Sequence, residues 1–110
     1  VHAWDLFNEP DNRNVPAYDR YEPQNKAELA HNLLKLVFEW AWEVRPSQPL
    51  TAGPWLGDWK DPERISPIER YMLEVSDIVT YHNYGDITHV RPRVEALRRY
   101  GRPILCTEYM

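Results

Sequence analysis

The chain has 110 residues, enough for one domain with a buried core, and its 43% hydrophobic and 27% charged residues are those of an ordinary globular protein. A net charge of −4 and a pI near 5.5 argue against nucleic acid or an anionic membrane surface as the partner, and no apolar run approaches the roughly 20 residues of a membrane span. The single cysteine, Cys106, excludes an internal disulfide or a thiolate metal cluster, while five Trp and seven Tyr beside carboxylates suit an uncharged, ring-shaped ligand.

The opening stretch, Val1 to Pro10, reads as a short strand. Pro10 can neither donate to a strand ladder nor sit inside a helix, so the strand ends there with Asn8 and Glu9 at its carboxyl tip. A polar loop from Asp11 to Gln24 follows, long for a compact domain and carrying Tyr18 and Tyr21. Asn25 is placed to cap a helix, with Glu28 in a capping-box-like position. Ala30, Leu33, Leu34, Val37, Ala41 and Val44 then define one apolar helical face, and Pro46 stops the helix.

Pro49 to Gly53 is a short strand candidate, followed by a loop with Trp55 and Trp59. Ser66, Pro67 and Glu69 form a helix start with cap, first-turn proline and capping-box partner, and the helix should bury Ile68, Met72 and Leu73. Asp77 to Gly85 is a β-branched and aromatic strand ended by glycine. A third helix is expected from about Val90 to Tyr100, with Gly101 as its stop, and Pro103 to Tyr109 is the last strand. Strand and helix alternate with no hairpin signal, which argues for a parallel sheet with right-handed crossovers.

Two strand tips thus deliver Glu9 and Glu108. Alternation along a strand puts His82 and Tyr84 on one side, so a phenol, an imidazole and a carboxylate can meet at one mouth. A pair of carboxylates in a cleft is what acetal cleavage requires, one protonated to donate and one ionised to attack. His2, Asp5, Glu9 and His82 also carry metal-ligating atoms, but Asp5 and Glu9 share no register that would make them converge, and no metal site or cofactor is expected. His2, His31 and His89 read as structural or solvated, and Cys106 as a small buried apolar residue.

Trp4 to Pro10, His82-Asn83-Tyr84 and Thr107-Glu108-Tyr109 resemble the fourth, sixth and seventh barrel strands of clan A glycoside hydrolases, especially family 5-like cellulases and β-glycanases. The resemblance implies a partial (β/α)8 TIM barrel, with four parallel strands alternating with three helices, cut from one catalytic domain. It implies retaining hydrolysis of β-glycosidic bonds, with Glu9 as acid/base, Glu108 as nucleophile, and Asn8, His82 and Tyr84 binding a carbohydrate substrate. Trp55 and Trp59 are candidate sugar-stacking residues. The family's first three strands and its eighth are missing, so the segment alone is expected not to catalyse. The chain opens inside a strand pattern and stops two residues after Glu108, which fits a piece of a larger barrel with open sheet edges. Two rivals carry no hydrolysis: a non-catalytic carbohydrate-binding barrel, and an unrelated doubly wound α/β domain in which both glutamates are incidental.

Overall fold

The structure is a computed structural model that describes every residue except 14, which lies in the loop expected from Asp11 to Gln24. Along the chain run β1 (Trp4–Asp5), α1 (Lys26–Val44), β2 (Leu50–Thr51), a 3-10 turn (Pro62–Arg64), α2 (Pro67–Val75), β3 (Val79–Asn83), α3 (Ile87–Leu97), a second 3-10 turn (Arg98–Tyr100) and β4 (Ile104–Tyr109).

The second helix forms as its sequence dictates. Ser66 Oγ accepts from the Glu69 amide, and Glu69 Oε2 accepts from the Ser66 amide at 3.1 Å, so each residue satisfies a donor that the helix would leave open. The first helix differs from expectation at both levels. Asn25 makes no side-chain cap bond, and the buried stripe is Ala30, Leu34 and Phe38, with Leu33 and Val44 exposed. Phe38 follows Leu34 by one turn and carries more apolar area than Leu33, so the helix turns its ring inward. The third helix starts three residues earlier than Val90, because Asp86 accepts from the Thr88 amide and supplies the cap.

The strands do not form one sheet. β1 pairs in parallel with β2, and β3 in parallel with β4, giving two separate two-stranded sheets. The partial (β/α)8 barrel is therefore corrected: the expected run of four strands is broken between β2 and β3. The cause is visible at that seam. Leu50 N–H donates to the Asp77 carboxylate at 2.9 Å and Ala52 N–H to Ser76 Oγ at 3.2 Å. The donors that would enter a ladder with β3 are thus taken by side chains. Thr51 and Thr80 hydroxyls meet at 2.9 Å, and the Asp77 amide reaches Leu50 O at 2.8 Å, completing a polar join in place of a ladder.

Two cores match the two sheets. Ala30, Leu34, Phe38, Leu50, Ala52, Ile68 and Met72 pack under β2, with Phe38 edge-on to Tyr71. Trp59, Ile65, Leu73, Val79, Tyr81, Ala96 and Leu97 pack under β3. α2 serves both, turning Ile68 and Met72 one way and Leu73 the other.

Candidate metal centre

The strand tips converge. The chain past β1 stays beside that past β2, with Leu6 N–H on Thr51 O and Glu9 N–H on Gly53 O at 2.8 Å. Glu9 holds a left-handed backbone, φ 47°, in the turn before Pro10, a conformation that costs a non-glycine residue on the order of 1 kcal/mol. That turn aims Glu9 at the other sheet. On that side, a bulge between the Tyr81–Cys106 and His82–Glu108 pairs leaves Thr107 without a partner in the register and sets Glu108 directly beside His82.

His82 is the centre of the cluster, 4% exposed. Its Nδ1 lies 2.5 Å from Glu9 Oε1, and the other Glu9 oxygen accepts from Asn12 Nδ2 at 2.7 Å. Its Nε2 is buried with no hydrogen-bond partner and faces Glu108 Oε1 at 3.5 Å. Glu108 is held from two sides, by the Tyr84 hydroxyl on Oε2 at 2.5 Å and by Asn8 Nδ2 on Oε1 at 3.1 Å. The Tyr84 hydrogen bond, opposed by burial and helped by Asn8 and His82, holds the Glu108 carboxyl below its usual range. The same bond pushes the Tyr84 phenol up.

The floor of the cluster is Gly53. A Cβ there would lie 2.9 Å from Asn8 Oδ1, 3.2 Å from His82 Nε2 and 3.3 Å from Asp5 Oδ2. Two oxygens from the segment that carries β1 and one imidazole nitrogen from β3 therefore surround one small space that only a glycine leaves open. Loss of hydration raises the Asp5 carboxyl, with the Glu108 charge adding to the rise and His82 opposing it.

The structure brings Asn8, Glu9, His82, Tyr84 and Glu108 together. Trp55 is 40% exposed and stands beside Asp11, two residues beyond Glu9. Trp59 is 1% exposed, packs in the second core and donates from Nε1 to Glu69, so it has no ring face open to a ligand. Cys106 is half-buried, its thiol on Glu108 O. Gly53 and Asp5 were not singled out together by sequence. A glycine closing a short strand opposite Asn-Glu was the available signal for the first.

Glu9, His82 and Glu108 each present one ligating atom within 4.8 Å of the other two. The four-residue set with His2 does not assemble, but a different one does. No family model matches this chain, and neither a curated protein nor a solved structure matches it. The resemblance to clan A glycoside hydrolases is accordingly corrected. The barrel on which retaining glycoside hydrolysis depends is not formed by the described residues, and the O-glycoside hydrolase and cellulase assignments fall with it. Fold and site together define a small α/β domain with a histidine and two carboxylates clustered where its two sheets meet.

Proposed function

We propose that this chain binds one divalent transition-metal ion on His82 Nε2 and Glu108, with Glu9 fixing the imidazole from Nδ1. The observation that carries the reading is the buried, unpartnered His82 Nε2 aimed at a carboxylate. A buried polar atom without a partner costs about 1–3 kcal/mol, which an ion bonded to it would offset. With Nδ1 committed to Glu9, the imidazole is in the tautomer that leaves the Nε2 lone pair free, as in carboxylate–histidine–metal arrangements. The 3.5 Å between Nε2 and Glu108 Oε1 is close to the roughly 3.4 Å edge of a tetrahedral site with bonds of about 2.1 Å. Glu108 as ligand and Glu9 behind the imidazole offset the charge of a divalent ion, and a mixed nitrogen and oxygen donor set favours Zn²⁺, Mn²⁺ or Fe²⁺ over Ca²⁺.

The test is titration of the metal-free chain with Zn²⁺ and Mn²⁺ by calorimetry, beside His82→Gln, Glu108→Gln and a Cys106→Ser control that removes the nearby thiol. One ion per chain, lost in the first two variants and kept in the control, is expected. No saturable binding, or binding that both site variants retain, refutes the proposal.

A second reading rests on the exposed rings of Tyr84, 57% accessible and bonded to Glu108, and of Trp55, which stands beside Asp11. Such exposed aromatic faces suit a carbohydrate held without cleavage. Chemical-shift titration with soluble β-glycan oligosaccharides, read at the two rings, decides it: saturable shifts support it and unchanged spectra sink it.

A further inference from the structure

β4 leaves one edge of its sheet open. It pairs with β3 on one side, and among the described residues no strand lies on the other. Val79 N–H donates to Pro103 O at 2.9 Å, and along a parallel ladder alternate residues turn both backbone groups the same way. Pro103 and Leu105 therefore face β3, while Ile104 and Cys106 point their N–H and C=O groups outward. Edge strands are ordinarily blunted by lysine, proline or a bulge. Ile104–Tyr109 holds no lysine or proline, and its bulge comes only after Cys106, so the first half of the strand is a template for pairing.

The helix beside this edge is uncovered on the same side. α3 packs over both strands, with Val94, Ala96 and Leu97 sharing a core with Val79, Tyr81, Ile104 and Cys106. Its outer flank and the strand edge line two adjoining hollows of about 370 and about 350 Å³, which share Ile87 and Val90. Ile87, Tyr109 and Met110 are largely exposed there, and Leu105 is exposed on the other face of the strand.

A second copy of the chain satisfies strand and helix together. A two-fold axis through Leu105 sets two β4 strands antiparallel, with Ile104 opposite the partner's Cys106, both carrying outward backbone groups, and Leu105 against the partner's Leu105. The two α3 helices then lie two strand spacings apart, about 10 Å, the ordinary distance for packed helices. The charges agree as well. The axis crosses α3 between Val90, which shares a hollow with Cys106, and Val94, which shares a core with Ile104. Arg91 and Glu95 lie on either side of that crossing on the outer flank, so each meets the opposite charge of the other copy. An edge about 20 Å long, at roughly 3.3 Å per residue, and strand and helix layers each about 10 Å deep give on the order of 400 Å² per copy. That is the size of a weak, reversible contact.

We propose that this chain forms a weak two-fold dimer by antiparallel pairing of β4, which joins the β3–β4 sheets of two copies into one and packs α3 on its counterpart. The pairing stops before Glu108, so it stands apart from the metal reading. Sedimentation equilibrium of the chain from about 5 to 500 μM, with a chelator present so that no ion bridges copies, is expected to show monomer and dimer with a Kd on the order of 10–100 μM. Leu105→Lys puts two cations on the axis at a position exposed in the monomer. It should weaken dimerisation at least about 10-fold with circular dichroism unchanged. In a Cys106→Ser background, Leu105→Cys should cross-link on mild oxidation, since directly opposed positions stand about 4.5 Å apart at Cα. Thr107→Cys, also exposed but on the order of 13 Å from its counterpart, should not. α1 carries another exposed stripe, Leu29, Leu33, Leu36 and Trp40, and Leu33→Lys is the control for association through it. Monomer at every concentration overturns the proposal, as does a dimer that Leu105→Lys leaves intact or that Leu33→Lys abolishes. Cross-linking as ready at position 107 as at 105 overturns it too.

Discussion

Replacing Gly53 by alanine separates the metal reading from a purely structural one without touching a ligand. Gly53 does not occupy the left-handed region, so alanine enters without backbone strain and reduces unfolded-chain entropy by about 0.4–1 kcal/mol. The added methyl would stand 2.9 Å from Asn8 Oδ1 and 3.2 Å from His82 Nε2, against ordinary carbon–heteroatom contacts of about 3.5 Å. Asn8 must retreat by about 0.5 Å and the imidazole by a few tenths of an ångström. Asn8 is on an exposed turn and can move, so the net stability change should stay within about 1 kcal/mol. An ion on Nε2 has no such freedom, because the methyl fills the space its bonds would cross. Affinity for Zn²⁺ or Mn²⁺ should fall at least on the order of 10- to 100-fold, the range seen when ligand positioning is disturbed. Denaturant unfolding and calorimetric titration of the same sample read both quantities. Wild-type metal affinity in a folded Gly53→Ala chain would refute the reasoning, as it would place the ion somewhere other than above Gly53.

Three further outcomes are expected. Asp77→Ala leaves the buried Leu50 amide without its 2.9 Å partner and should cost about 1–3 kcal/mol in urea unfolding, whereas a loss under 0.5 kcal/mol would show the seam is not held there. Phe38→Ala removes the fully buried ring between α1 and Tyr71 and should cost about 3–5 kcal/mol by the same method, a loss below 1 kcal/mol counting against the core described. His31, its ring tilted against Tyr71 with centroids 5.4 Å apart and its buried Nε2 unpartnered, has its pKa lowered by burial and then by Lys35. The unfolded chain therefore takes up the proton first as pH falls, and stability present above the ordinary histidine value near 6.5 is lost as pH drops through it toward the folded value. Comparing thermal unfolding at pH 7.5 and 5.0 for the wild type and His31→Phe checks this; an unaltered pH dependence in the variant would exclude His31 as its source.

Local signals in the sequence translated well where one short motif carries the whole instruction. The Ser66 and Glu69 capping box is such a case, since both partners lie within one turn. The meeting of His82, Tyr84 and Glu108 was also legible from strand alternation, whereas Glu9 lies four residues past β1 and reaches His82 only through its left-handed turn. The apolar face of α1 was read one step off: Leu33 and Phe38 fit neighbouring stripes, and only packing against Tyr71 decides between them. The division into two sheets was not legible at all. It depends on Ser76 and Asp77 reaching across to the amides of Ala52 and Leu50, a contact 24 to 27 residues distant that no periodicity encodes. The chemistry changed for a related reason. Strand alternation places side chains on faces but does not foresee the bulge opposite His82 or the missing Cβ at Gly53, and these two details turn a pair of carboxylates into a nitrogen-centred cluster.

The polar join between β2 and β3 has a mechanical consequence. A ladder resists shear through many bonds acting together, whereas here two sheets are coupled by a few short side chains and one backbone bond. Each sheet keeps its own core, with α2 packed on both, so the join can open about that shared helix while each core stays packed. Glu9 travels with one half and His82 and Glu108 with the other. The Glu9–His82 and Asn8–Glu108 hydrogen bonds cross the same join, so an ion that fixes His82 and Glu108 would tighten both, and protection of the Leu50 and Ala52 amides from hydrogen exchange would rise with its occupancy.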